Sequence, residues 1–208
     1  MDAQTIVTPA RLEKVQAALD QRMGSVVAVI EAVRRRHNAS ALVRSCEAFG
    51  VHEVHLITAF FKPSVGAARG AERWLRTRVF PTVRESIDEL HARGFAVYVA
   101  DLAEGAYTPE TVPVEKPIAL LFGSEVRGVS AEARALADGA VMIPMRGLTE
   151  SLNVSVSGAI LLRAAADRRR ALVGHDLSAA EKQRFIEQWL KHEESGRRGL
   201  RARASNAT

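Results

Sequence analysis

IALLFGSEVRGVSAEARALADGAVMIP, residues 118–144, decides the fold class. Its first six residues, IALLFG (118–123), carry no charge and lie between Pro117 and a serine, which reads as a strand buried on both faces. Ser130 can cap a helix that ends at Gly139, and VMIP (141–144) supplies the next strand. Two strands joined by a crossover helix run parallel, and a parallel sheet persists only when helices cover both faces.

The same rhythm extends toward the N-terminus. FAVYVADL (95–102) follows a helix with a Thr82–Glu85 capping box and a stop at Gly94. VHEVHLI (51–57) follows a helix from about Ala39 to Phe49, stopped by Gly50, and VVAVI (26–30) is a strand leading into the polar loop RRRHN (34–38). Between them GAARGAERWLRTR (66–78) reads as a basic connection. Thr8 and Pro9 begin a short N-terminal helix, and Ser178 and Glu181 cap a last helix carrying Phe185, Ile186, Trp189 and Leu190. The segment SLNVSVS (151–157) alternates with period two, but GAILLRAAADRRR after it is helical, so a helix is expected from Ser151. The class is therefore α/β: a mostly parallel sheet flanked by helices, with short helical extensions at both ends. The expected organisation is an extension over 1–22, a main domain over 23–171, and a C-terminal helix with a basic tail over 172–208, where RRGLRARASNAT (197–208) carries too little apolar surface to order itself.

Composition narrows the function. The chain has 208 residues, 47% of them hydrophobic, enough for one sizeable core. A lone Cys46 excludes an internal disulfide. Without a bilayer-length apolar run or a secretory leader, the chain is expected to be cytoplasmic and free of membrane. The net charge of +5 and pI near 9.9 suit a polyanionic partner. Arg34, Arg35 and Arg36 form one basic block, and Arg197, Arg198, Arg201 and Arg203 another. Both are candidate RNA contacts, although a solvated surface is the ordinary reading of such a run.

Three polar segments stand where α/β sheets bind ligands, at the carboxyl ends of strands: RRRHNASALVR (34–44), FGSEVRGVS (122–130) and IPMRGLTESLNVS (143–155). Neither GxGxxG nor GxxxxGK[ST] occurs, so a nucleotide-like cofactor must be held some other way. Elsewhere the chemistry is bland. His52 and His55 are three apart on a strand, which points them to opposite faces and away from a metal site, and no metal is expected. Cys46 has no base to activate it, and Trp74 serves packing more readily than stacking on RNA.

In this order and at these separations, the three segments resemble the three motifs of the SpoU/TrmH branch of the SPOUT methyltransferases. HNASALVR and SLNVSVSGA carry most of the likeness, which spans roughly residues 10–170. GAERWL (70–75) and the flanking helices are similar to the branch members that act on tRNA guanosine. The resemblance implies S-adenosylmethionine as cofactor, a deep C-terminal trefoil knot, a homodimer, and transfer of a methyl group to the ribose 2′-hydroxyl of a guanosine in the tRNA D-loop. The alternatives are the same chemistry on a ribosomal RNA loop or a tRNA wobble nucleoside, and a non-catalytic RNA-binding adaptor. By position, the motifs assign Asn38, Arg44, Glu125, Ser151 and Asn153 to catalysis. Main-chain groups at Ala100, Gly123, Ile143 and Leu152, together with Ser155, are assigned to the cofactor. Arg35-Arg36 stands where the family commonly has Lys-Pro, and Glu150 where it has Gln.

The residue types fit these roles. Arg44 offers a rigid fork of donors and hardly deprotonates, so it suits stabilising an oxyanion or holding a phosphate better than acting as a base. The competing role is a helix-surface ion pair with Glu47 or Glu31. Glu125 reads as an oriented acceptor or a first-turn carboxylate, and Asn153 as an orienting amide for Glu125 or the cofactor, or as a helix cap.

Overall fold

The computed structural model describes residues 7–31, 33, 35–57 and 71–205, for 194–205 the backbone alone. Arg34, the GAARG stretch (66–70), and the side chains of Arg197, Arg198, Arg201 and Arg203 lie outside the described residues. In chain order the elements are α1 (Pro9–Asp20), β1 (Met23–Glu31), α2 (Arg36–Ala48), β2 (Val51–Ile57), β3 (Arg76–Phe80), α3 (Val83–Ala92), β4 (Ala96–Ala100), β5 (Ile118–Phe122), α4 (Ala131–Leu136), β6 (Gly139–Val141), α5 (Val154–Val173) and α6 (Ala179–Ser205). The strands form one sheet in the order β3-β2-β1-β5-β4-β6, with every pair parallel. No described helix is long and apolar enough to cross a membrane.

Contacts group residues 23–176 into one compact unit and residues 1–22 with 177–208 into another. In the first, alternation along the strands divides the core. Val26, Ala28 and Ile30 of β1 face α2 and α5, whereas Val27 and Val29 face α3 and α4. Gly158 lets α5 approach α2 closely, since a Cβ there would lie 2.0 Å from Leu42 Cδ2. In the second unit, Thr8 caps α1, and Ser178 with Glu181 forms a capping box on α6. Arg11 bonds Glu193 at 3.2 Å and lies over the Trp189 ring, while Lys182 pairs with Asp20 at 2.7 Å.

Several boundaries differ from the sequence reading. The last strand is Gly139–Val141, not VMIP, and the helix before it stops at Leu136, since Tyr98, Val99 and Ala100 of β4 pair with Gly139, Ala140 and Val141. Helix α2 starts at Arg36, not Ala39, because nothing in RRHN breaks a helix and the Asn38 and Ala39 amides already donate to the Arg35 carbonyl. Helix α5 starts at Val154: Asn153 accepts the Ser155 amide at 2.9 Å, leaving Ser151 and Leu152 in the loop. Helix α6 runs through Ser205 where a disordered tail was expected, in keeping with the helical propensity of its Arg, Ala and Leu residues. RTRVF forms the edge strand β3 inside what read as a connection.

Strand β3 is held by a polar cluster. Glu53 on β2, 3% exposed, accepts from His55 Nε2 at 2.7 Å and Arg93 Nη1 at 2.7 Å, with Arg76 and Arg78 of β3 at 3.4 and 3.6 Å. His55 Nδ1 meets the Ser86 hydroxyl at 2.8 Å, and Arg78 also pairs with Glu89. Glu53, His55 and Glu89 thus bring ligand atoms within 4.8 Å of one another. The two histidines point apart, but His55 shares its face with Glu53, two residues away. Arginines neutralise both carboxylates, so the cluster reads as an ion-pair network.

Burial raises the Glu53 pKa, but the hydrogen bonds from His55 and Arg93 outweigh it and bring the group from 4.5 to about 2. A carboxylate lowered on folding stabilises the fold above its unfolded pKa and loses that contribution as pH falls from about 4.5 toward 2. Glu53→Gln should cost roughly 3 kcal/mol at neutral pH and flatten the decline of melting temperature across that acid window. Parallel melting curves of the two proteins would disprove this.

Candidate active site

At the carboxyl ends of β4, β5 and β6, residues Ala100, Phe122 and Val141 open into a cavity of about 520 Å³. Its walls are the segment after β4 (Asp101, Leu102), the loop after β5 (Gly123 to Val126, and Gly128), the long loop 142–153 and the first turns of α5. Arg35 lies at the lip.

The loop after β5 is folded tightly. Ser124 and Gly128 exchange both main-chain hydrogen bonds at 2.9 Å, and the Arg127 amide donates to Ser124 Oγ at 3.0 Å. This turn uses two glycines. Gly128 has a φ of 65°, and a Cβ on Gly123 would lie 2.2 Å from the Gly128 carbonyl carbon and oxygen. Backbone therefore fills the place of a side chain, so the turn admits only glycine at position 123.

Three motifs far apart in sequence meet through side chains. Asn38 on α2, 2% exposed, donates from Nδ2 to Glu125 Oε1 at 2.6 Å, while its Oδ1 accepts from Asn153 Nδ2 at 3.2 Å. Asn153 Oδ1 in turn accepts from the Ser155 amide and hydroxyl at 2.9 and 2.7 Å. Asn153 thus caps α5 and is linked through Asn38 to Glu125 by hydrogen bonds. Asp101, also on the wall, binds Arg134 bidentately at 2.5 and 3.3 Å, and that hydrogen bond raises the Arg134 pKa.

Of the residues singled out from sequence, Ala100, Gly123, Glu125, Ile143, Ser151, Leu152 and Asn153 line the cavity. Ser155 serves the cap instead of the wall. Arg36 and Arg44 are exposed and outside the lining. The sequence reading missed Asp101, Met142 and Met145, each next to a polar or strand-end position, and Ser157 and Leu161, which follow Asn153 at intervals of four on α5.

The cavity suits a small amphipathic cation-bearing cofactor such as S-adenosylmethionine. Its size is in the range of small-molecule sites, its walls mix apolar side chains with main-chain groups, and Glu125 adds a carboxylate.

Residues 25–163 match the model of the SpoU rRNA Methylase family. The tRNA (guanosine(18)-2′-O)-methyltransferase of Thermus thermophilus is 38% identical over 193 residues, covering 88% of this chain and 97% of that relative. The Escherichia coli K12 protein of the same name is 31% identical, over 79% of this chain and 72% of its own. The crystal structure of the Aquifex aeolicus TrmH/SpoU tRNA modifying enzyme superposes with a TM-score of 0.79 at 30% identity, covering 88% of this chain and 96% of that one.

Gly123→Ala should abolish calorimetric binding of S-adenosylmethionine by at least ~100-fold, because the new methyl group meets backbone and not a movable side chain. Unchanged affinity in a folded variant would show that the ligand does not use this turn.

Proposed function

The chain belongs to the SpoU rRNA Methylase family, and from that membership and its cavity we propose that it methylates the ribose 2′-hydroxyl of a D-loop guanosine in tRNA, using S-adenosylmethionine. The guanosine is the one at position 18 named for its relatives. The observation that carries the reading is the relay Asn153–Asn38–Glu125, whose two ends line a cavity bounded by the tight Gly123–Gly128 turn.

S-adenosylmethionine supplies an electrophilic methyl group on a sulfonium. The chain must bring a ribose oxygen to it and manage that oxygen's proton and charge. Gly123, with the main chain at Ala100, Ile143 and Leu152, holds the cofactor, and Ser151 and Glu125 face the same space. The relay fixes the Glu125 carboxylate as an oriented acceptor. Arg44 stabilises the oxygen as its proton leaves for solvent; a guanidinium is suited to that electrostatic role. Arg35, Arg36 and the block Arg197, Arg198 and Arg201 contact RNA phosphates, which accords with a tRNA partner and the basic pI.

Two further features belong to this reading. Helix α5 follows the edge strand β6 yet packs on α2, β1 and β5, so the chain crosses the strand ends, a path that supports the trefoil knot. Val156 and Ile160, four apart on α5, are each more than a third exposed, apolar surface that supports a homodimer. A second copy would also bring in Arg44, which stands outside its own chain's cavity. A tRNA substrate supports a cytoplasmic location.

Incubation of the protein with S-adenosylmethionine and an unmodified tRNA transcript, followed by nucleoside mass spectrometry, should locate one 2′-O-methylguanosine in the D-loop. A methyl group found only in ribosomal RNA, or only at the wobble position, would reject this substrate. Arg44→Ala should lower turnover by about 100-fold or more and shift stability by less than ~0.5 kcal/mol, because Arg44 is exposed. Light scattering should return twice the chain mass of 22.6 kDa.

A further inference from the structure

Charge is sorted around the cavity. Asp101 and Glu125 belong to its wall, whereas two exposed arginines stand on the loops that bound it. Arg127 lies between Val126 and Gly128, both of the lining, on the turn closed by Ser124 and Gly128. Arg146 follows Met145, also of the lining, in the loop between β6 and α5. Neither guanidinium has a hydrogen-bond or ion-pair partner among the described residues, unlike Arg134 nearby, which Asp101 neutralises. Two unpaired arginines beside one opening raise the local potential for an anion. Each also has an apolar neighbour left in water: Val126 is 86% exposed and Leu148 fully so. Single exposed apolar residues are ordinary, but two of them on the loops around one cavity favour a surface that a ligand covers.

We propose that Arg127 and Arg146 bind the phosphodiesters flanking the nucleotide whose ribose is methylated, one from each loop, and so hold that ribose over the cavity. The assignment rests on the RNA-methyltransferase reading above and adds two substrate contacts to it. A guanidinium suits the task because its fork engages two phosphate oxygens together. Such contacts set position and carry no sequence information. The turn that holds Arg127 is fixed by three hydrogen bonds, so little ordering is needed when the phosphate arrives.

Filter binding of an unmodified tRNA transcript across a salt series tests this. Each neutralised phosphate releases condensed counterions, so Arg127→Ala and Arg146→Ala should each reduce the slope of log affinity against log salt by about one unit, and the double variant by about two. KM for tRNA should rise more than kcat falls, while calorimetric affinity for S-adenosylmethionine holds. Lysine at either position should keep the slope. Arg84→Ala is the control, an equal loss of charge on α3 from a residue already paired with Glu132 at 2.9 Å, and should leave the slope in place. Superimposable slopes for wild type and double variant would overturn the assignment while leaving the methyltransferase reading intact. A halved mass in light scattering would overturn it in favour of an interface between copies. Wild-type protein that shows no salt-dependent tRNA binding would overturn the substrate reading and this inference with it.

Discussion

Helix α5 has to pack beside α2 against β1 and β5, yet the chain reaches it from β6, on the far side of β4. Residues 142–153 must therefore travel across the carboxyl ends of β4 and β5. A backbone on that path cannot join the sheet, and it must leave room for the loop that follows β5. The space between the two loops is the cavity. The crossing also explains why the site is built from main-chain groups. Where strand ends and loops come this close, Gly123 has no volume for a side chain, because the Gly128 carbonyl already occupies it. Ligand binding at strand ends is general for open α/β sheets; here the crossing replaces the glycine-rich phosphate turn that the sequence lacks.

The relay through Asn38 depends on the same geometry. Its members lie 87 and 115 residues from Asn38, and they meet because β1 and β5 are neighbours while α5 returns over β1. An asparagine fits the middle position since one amide can donate to a carboxylate and accept from another amide. Aspartate in that place would set two carboxylates against each other. Buried at 2%, Asn38 would also be costly if either bond were lost, so the network specifies how α2, the β5 loop and α5 approach one another.

Much of this was legible in the sequence, for identifiable reasons. Strand β5 is a continuous apolar run, and Thr8, Thr82, Ser130 and Ser178 announced their helices by the oxygen each offers to a free amide. Strand β3 was hidden because its alternating arginines look like surface, and only the fold reveals Glu53 beneath them. The start of α2 was hidden because a basic stretch says nothing about capping. For the site, the family resemblance named Asn38, Glu125 and Asn153, but that hydrogen bonds join the three is a fact of sheet order. Arg127 was passed over within its motif because sequence cannot tell an unpaired arginine from a neutralised one such as Arg134.

Two further arginines show what holds the crossing in place from its other end. Arg169, 8% exposed, donates to Ser25 Oγ and to the Val114 and Glu115 carbonyls at 2.8–3.0 Å, and Arg168 donates to the Pro109 and Val112 carbonyls. Burying a guanidinium among neutral oxygens is costly unless several charge-assisted bonds offset the lost hydration, and the planar fork is what permits several at once. A lysine would present one point charge to the same carbonyls. These bonds tie the β4–β5 connection to α5 roughly 10 Å further along the helix axis than Leu161, the last residue that lines the cavity. Asn153 fixes the first turn of α5 and the two arginines fix its second half, so the helix cannot slide along the sheet without breaking both sets. The connection they hold begins at Asp101 and Leu102, on the cavity wall. The shape of the cofactor site is thereby coupled to hydrogen bonds that no ligand touches.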